Sequence, residues 1–288
     1  LEVKSVDTDG FVGFLQNKER SQNTIDTYLV GVRQFFELYN EPTVENIIAF
    51  KKSLLDKRKP KTVNIRLRGI LSYCEFIGSP VNVKGIKVPR TLSVENVISP
   101  EEYASLLRGL QVDGNTRGYW IVRFLAETGA RASEFVRLTK CGLLRGYDEM
   151  FTKGKIRRIY FPRNLMDESR YYFEGVQCSA LFPNRFGNQL STRGLGALLA
   201  SWAGRYQIRR EVMHPHSFRH FFAKEFLKNG GDLTTLSDLL GHDGLDTTAI
   251  YTRKTVKEIS DEVSRRVGMI GDMGCANFCP HCGARIAG

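Results

Sequence analysis

No stretch of this chain is apolar over the roughly 20 residues that a bilayer span needs. Its start, Leu1 to Gly10, carries acidic residues and no apolar leader core. The expectation is a cytoplasmic protein with no membrane partner. No glycine-rich loop of the Walker type occurs, and no acidic cluster has the spacing of a two-metal site. Those absences point away from nucleotide hydrolysis and two-metal phosphoryl transfer. Cysteine is sparse and unevenly placed: Cys74, Cys141 and Cys178 are scattered, while Cys275, Cys279 and Cys282 crowd the end. That is not the even framework of a small secreted domain, so reduced thiols or metal ligands are expected. Acidic residues are also short, 31 against 42 Lys and Arg, for a net charge of +11 and a pI near 9.4. Such an excess favours a polyanionic partner, because lysines and arginines that meet phosphates release condensed counterions.

At 288 residues with 42% hydrophobic residues the chain suits two globular units. From Gly10 to Gly78 apolar residues recur at helical spacing, as in Ile25, Tyr28, Leu29, Val32, Phe35 and Phe36, which predicts four or five short helices. Ser21 to Thr24, Asn40 to Thr43, and Lys59-Pro60 with Thr62 mark their starts. Lys51, Lys52, Lys57, Arg58, Lys59, Lys61, Arg66 and Arg68 stand against the single acid Asp56 and would suit one wall of a phosphate-lined groove. A solvated helix face is the alternative. Ser79 to Val97, with two prolines and several valines, predicts an extended connector, and Ser99-Pro100 has the cap-and-proline signature of a new helix. The expected divisions are a helical domain over 1–80, a linker over 81–98, a mostly helical second domain over 99–270 and a cysteine-bearing tail over 271–288. The fold class is mainly α, with one small antiparallel sheet. Glu149 to Phe161, with Lys153-Gly154-Lys155 at its centre, predicts that sheet as a β-hairpin with a basic turn.

Four boxes in the second half carry candidate chemistry. Thr128-Gly129-Ala130-Arg131-Ala132-Ser133-Glu134 breaks one helix and begins another, placing Arg131 near a helix start, where anions are favoured. Pro215-His216-Ser217-Phe218-Arg219-His220 opens a helix with His216 and Arg219 on one face and the Phe218, Phe222, Phe226 stripe on another. Leu239-Leu240-Gly241-His242 ends a helix, and Asp246 can cap a short one carrying Tyr251. Phosphoryl transfer to a side chain needs a nucleophile, positive charge around the nonbridging oxygens and a donor for the leaving oxygen. Candidates for all three are here, though each residue alone has an ordinary structural explanation.

Taken in order, Arg131, Lys153 in a hairpin turn, His216-x-x-Arg219, Leu-Gly-His242 and Tyr251 resemble the tyrosine recombinase family of integrases and Xer-type recombinases. The matches span residues 128–253. The basic helical first half resembles that family's core-binding, DNA-binding domain. The resemblance implies that Tyr251 attacks a DNA phosphate to form a 3′-phosphotyrosine, and that Arg131 and Arg219 hold its oxygens. It implies that Lys153 protonates the leaving 5′-oxygen, with Lys155 as rival; Thr152 replaces the family's first turn glycine. His216 would accept the tyrosine proton or position the phosphate, and His242 would hydrogen-bond a phosphate oxygen. Glu134 and His220 would be supporting residues. The implied partners are double-stranded DNA with specific recombination sites and further copies of the chain in a tetramer, with exchange of the amphipathic segment bearing Val256, Ile259, Val263 and Val267. The implied reaction needs no ATP and no divalent metal.

The tail adds Cys275, Cys279 and Cys282, whose Cys-x-x-Cys pair looks like a zinc knuckle lacking a fourth ligand. Structural zinc and a flexible thiol-bearing tail both remain open. Two other functions compete with recombination: type IB topoisomerase-like strand relaxation, and DNA binding without catalysis on the same fold.

Overall fold

The computed structural model describes residues 6–88, 96–152, 155–175, 179–241, 248–252 and 263–264. The chain divides into two compact units, 1–90 and 91–288.

The first unit contains helices α1 (Thr8–Asn17), α2 (Gln22–Phe36), α3 (Val44–Leu55) and α4 (Pro60–Phe76). Asp7, Ser21 and Thr43 each cap a helix by accepting a backbone N–H, and Pro60 occupies the first turn of α4, where its missing N–H costs nothing. Their apolar stripes meet in a core of Phe11, Leu15, Val32, Phe35, Ile47 and Ile70. Helices α2 and α4 cross at backbone distance. A Cβ on Gly31 would lie 2.9 Å from the Arg66 carbonyl oxygen, and one on Gly69 would lie 2.8 Å from that of Tyr28. Part of the expected connector is docked on this unit: Val83 is buried, Lys51 donates to the Lys84 carbonyl at 2.7 Å, and Asn64 bonds both the N–H and the carbonyl of Ile86.

The second unit begins as Val97 and Ile98 bury, followed by α5 (Pro100–Val112), whose Ser99 and Glu102 form a capping box. Helix α6 (Thr116–Thr128) is buried almost all round and forms the centre of this unit. Its Phe124 meets Phe161, Phe173 and Phe182 at centroid distances of 5.4–5.8 Å. Two short helices follow, α7 (Ala132–Phe135) and α8 (Lys140–Arg145), and then the hairpin β1 (Tyr147–Thr152) and β2 (Lys155–Tyr160). The hairpin pairs Tyr147 with Tyr160 and Thr152 with Lys155. Strand alternation buries Asp148, Met150, Arg157 and Ile159 and exposes Phe151 and Ile156. Helices α9 (Arg163–Glu174), α10 (Thr192–Arg205), α11 (Pro215–Lys228) and α12 (Leu233–Leu240) complete the unit, with a 3-10 turn over Ala249–Thr252. The molecule is thus mainly helical with one small antiparallel sheet. No helix among the described residues is long and apolar enough to cross a membrane.

Candidate active site

Helix α6 ends at Gly129, and Arg131, in extended conformation, forms the N-cap of α7. The Arg131 backbone N–H donates to Glu134 Oε2 at 2.7 Å, and its Nη1 donates to Glu134 Oε1 at 2.9 Å. One carboxylate therefore fixes both the main chain and the side chain of Arg131. Glu134 is 2% exposed, and its Oε2 also accepts from Arg157 Nη1 on β2. Burial alone would raise the Glu134 carboxyl; the Arg157 charge and the Arg131 hydrogen bonds hold it below its ordinary value.

Arg219 projects from α11 and is 2% exposed. Its Nη1 donates to the Gly129 carbonyl at 2.8 Å and its Nη2 to the Leu240 carbonyl at 2.6 Å. Burial, then the positive charges of Arg157 and Arg131, push its pKa down to about 10, so it stays cationic at neutral pH. Arg157 donates from Nε and Nη2 to the Leu239 carbonyl, at 3.0 and 2.5 Å. Arg131 Nη2 reaches the Gly241 carbonyl at 2.8 Å. Three successive carbonyls at the end of α12 thus each receive a different arginine. A helix C-terminus presents unsatisfied carbonyls and a partial negative charge, and here guanidinium groups meet both. Gly241 makes this possible: its φ is 58°, and a Cβ there would lie 2.5 Å from Arg157 Cδ.

Arg131, Arg219, His214 and His216 line one cleft of about 400 Å³, together with Ala130 and Ala132. His216 is solvent-exposed, yet partial desolvation, then the charges of Arg219, His214 and Arg131, lower its pKa. His220 lies behind it, with ring centroids 4.3 Å apart. Burial and then the charge of His216 drive the His220 pKa down to about 3, and its Nδ1 is buried without a hydrogen-bond partner among the described residues. The Tyr251 ring packs on His220 at 4.8 Å and is 3% exposed, pinned by Ala223 of α11 and Leu236 and Leu240 of α12.

The arrangement can hold a tetrahedral oxyanion between two guanidiniums, with imidazoles at its edge. Lys153 and His242 lie outside the described residues, as do Cys275, Cys279 and Cys282, and of Lys155 only the backbone is described. Among the described residues no cluster of His, Cys, Asp and Glu could hold a metal ion. In the first unit Lys52, Lys57, Arg58, Lys59, Lys61 and Arg68 are exposed. Lys51 and Arg66 are half-buried and spend donors on the carbonyls of Lys84 and Thr27. Two residues of the site were not singled out from sequence. Arg157 could have been found by alternation, since it shares the inward face with Ile159. His214 precedes Pro215 at the N-cap of α11, where its Nδ1 accepts from Ser217 N–H.

The model of the phage integrase family matches residues 96–258, more than half of the 288-residue chain. The chain belongs to the phage integrase family. Tyrosine recombinase XerA of Pyrococcus furiosus is 27% identical over 276 residues, covering 91% of this chain and 94% of that protein. Tyrosine recombinase XerD of Staphylococcus epidermidis is 28% identical over 284 residues, covering 86% and 94%. The crystal structure of the XerH site-specific recombinase bound to difH substrate, a pre-cleavage complex, aligns with a TM-score of 0.64 and 20% identity, over 83% of this chain and 78% of that one. This integrase-family member is therefore a Xer-like tyrosine site-specific recombinase, and the arginine cleft described above lies within the matched region.

Proposed function

We propose that this recombinase cuts one strand of a specific duplex site with Tyr251, stays joined to it through a 3′-phosphotyrosine, and rejoins the strand to a partner site. The observation that carries this reading is the convergence of Arg131, Arg219 and His216 on one cleft, with the Tyr251 ring packed against His220, whose ring in turn meets His216. Arg131 and Arg219 would hold the nonbridging oxygens, where negative charge builds as the phosphorus becomes five-coordinate. His216, kept neutral by its surroundings, is suited to accept the tyrosine proton or position the phosphate. Lys153 would protonate the leaving 5′-oxygen and His242 would hydrogen-bond a phosphate oxygen. Because the phosphotyrosine conserves the energy of the broken phosphodiester, the cycle in this reading needs neither ATP nor another cofactor.

The DNA partner is supported by the net charge of +11 and the exposed basic residues of α3 and α4, and by the DNA-bound state of the XerH neighbour. Strand exchange between two sites calls for four active sites, so the working form would be a homotetramer on paired DNA. The segment beyond Tyr251 is the candidate for exchange between subunits.

Incubation with sheared genomic DNA from the source organism, denaturing capture of protein and sequencing of attached ends would map the cleavage position. A nicked duplex built around that position should then accumulate a covalent adduct with wild-type protein and none with Tyr251→Phe. Adduct formation by Tyr251→Phe, or none by wild type, would sink the proposal. Relaxation of supercoiled plasmid without a paired site would instead indicate topoisomerase-like action.

A further inference from the structure

Of the three arginines that hold the end of α12, two line the cleft and one does not. Arg131 and Arg219 line the space where a phosphate would sit, whereas Arg157, buried like Arg219, does not. The same two commit donors to the Gly241 and Leu240 carbonyls, so an arriving phosphate draws on guanidiniums that help hold α12 in place. Arg157 keeps both its Nε and Nη2 on the Leu239 carbonyl and its Nη1 on Glu134. It therefore ties three elements together: β2, whose other end starts at the hairpin turn; α7, through the carboxylate that orients Arg131; and α12, whose end leads to residue 242.

We propose that Arg157 is a positioning residue for strand cleavage: it holds the end of α12 and the Glu134 carboxylate in place while Arg131 and Arg219 transfer donors to the DNA phosphate. The role rests on the reading of the reaction given above. It assigns to Arg157 no contact with DNA. Its effect runs through the geometry of Arg131 and of the α12 end, and misplacement of reacting groups by about 1 Å can cost on the order of 100-fold in rate.

The Glu134 carboxylate faces Arg131 from the start of α7, Arg157 from β2 and, at longer range, Arg219 from α11, and Arg157 also feels the Tyr251 phenol. Removing the Arg157 charge leaves Glu134 buried with less to offset its desolvation, so it takes up a proton at higher pH and loosens its hold on Arg131. That is a signature which general destabilisation does not produce.

The test uses Arg157→Gln and Arg157→Lys in the full chain, with the nicked duplex mapped for the wild type as probe. Affinity for the duplex at fixed salt, single-turnover cleavage from pH 5 to 9, and thermal unfolding are measured together. The expected result is duplex affinity within about threefold of wild type, cleavage by Arg157→Gln slower by about 100-fold, and an acid limb of the rate profile moved to higher pH. Arg157→Lys, which keeps the charge, should return the limb toward its wild-type position and recover part of the rate. It also serves if Arg157→Gln fails to fold: slowed cleavage at near-normal affinity by the lysine variant supports the role. Cleavage within threefold of wild type by a folded variant, or a loss equal at every pH that tracks the unfolded fraction, overturns it. If wild type itself forms no adduct, the parent reading falls first, and this role with it.

Discussion

Glu134 receives three hydrogen bonds from two arginines, and the two contacts differ in worth. Glu134 and Arg157 have side chains 3% and 7% exposed, whereas Arg131 is 37% exposed. Removing one partner of a buried pair leaves an uncompensated charge and costs about 3–5 kcal/mol, while a partly solvated pair contributes about 1 kcal/mol or less. Glu134→Gln should therefore lower the urea midpoint of the second unit far more than Arg131→Ala, although both should abolish adduct formation. Equal midpoints would show that Arg157 finds another partner. The order of boxes made Arg131, His216, Arg219 and Tyr251 legible in the sequence, because a chain order of distinct motifs survives without coordinates. Arg157 is overshadowed by its own hairpin: four basic residues fall between 153 and 158, and composition draws attention to the turn rather than to the inward position. Likewise, nothing in the run from Lys51 to Arg68 distinguishes the lysine that finds a carbonyl from those left in water.

Among the elements, the α2–α4 crossing is the tightest approach in the first unit. Alanine would be a better helix former than glycine at positions 31 and 69 by about 1 kcal/mol. Against that, an added Cβ would sit under 3 Å from the facing backbone at both positions, and overpacking of this kind costs about 1–3 kcal/mol. The steric term should win: Gly31→Ala and Gly69→Ala each lower the melting temperature of the first unit, and a rise in either variant would mean that the helices separate freely. Helical periodicity predicted these helices, but it carries no record of interhelical distance. Ser79 to Val97 likewise reads as an extended connector from its two prolines and several valines. Periodicity could not show that Asn64 binds both backbone groups of Ile86 and docks the segment on its own unit.

At the level of the whole molecule, each unit owns a separate apolar core, so calorimetry should resolve two unfolding steps. Acid should act on the second of them. The His220 pKa falls to about 3 in the folded chain, from an ordinary value of 6.5, so the unfolded chain binds more protons between those limits. Stability is then fully present above about 6.5 and declines as pH drops toward 3. His220→Gln should flatten that slope in a series of melts from pH 4 to 7; an unchanged slope would place the titration elsewhere.

The three carbonyls at the end of α12 give the resting enzyme a property that an open pocket of arginines would lack. A bare guanidinium pair would bind inorganic phosphate, sulfate or any stray nucleotide. Here an anion must compete with peptide dipoles already in place, and a small ion brings too few contacts to repay the exchange. A duplex would bring many at once. The site is thus guarded by the protein's own backbone, and inorganic phosphate at millimolar concentration should leave cleavage of the mapped duplex almost unchanged.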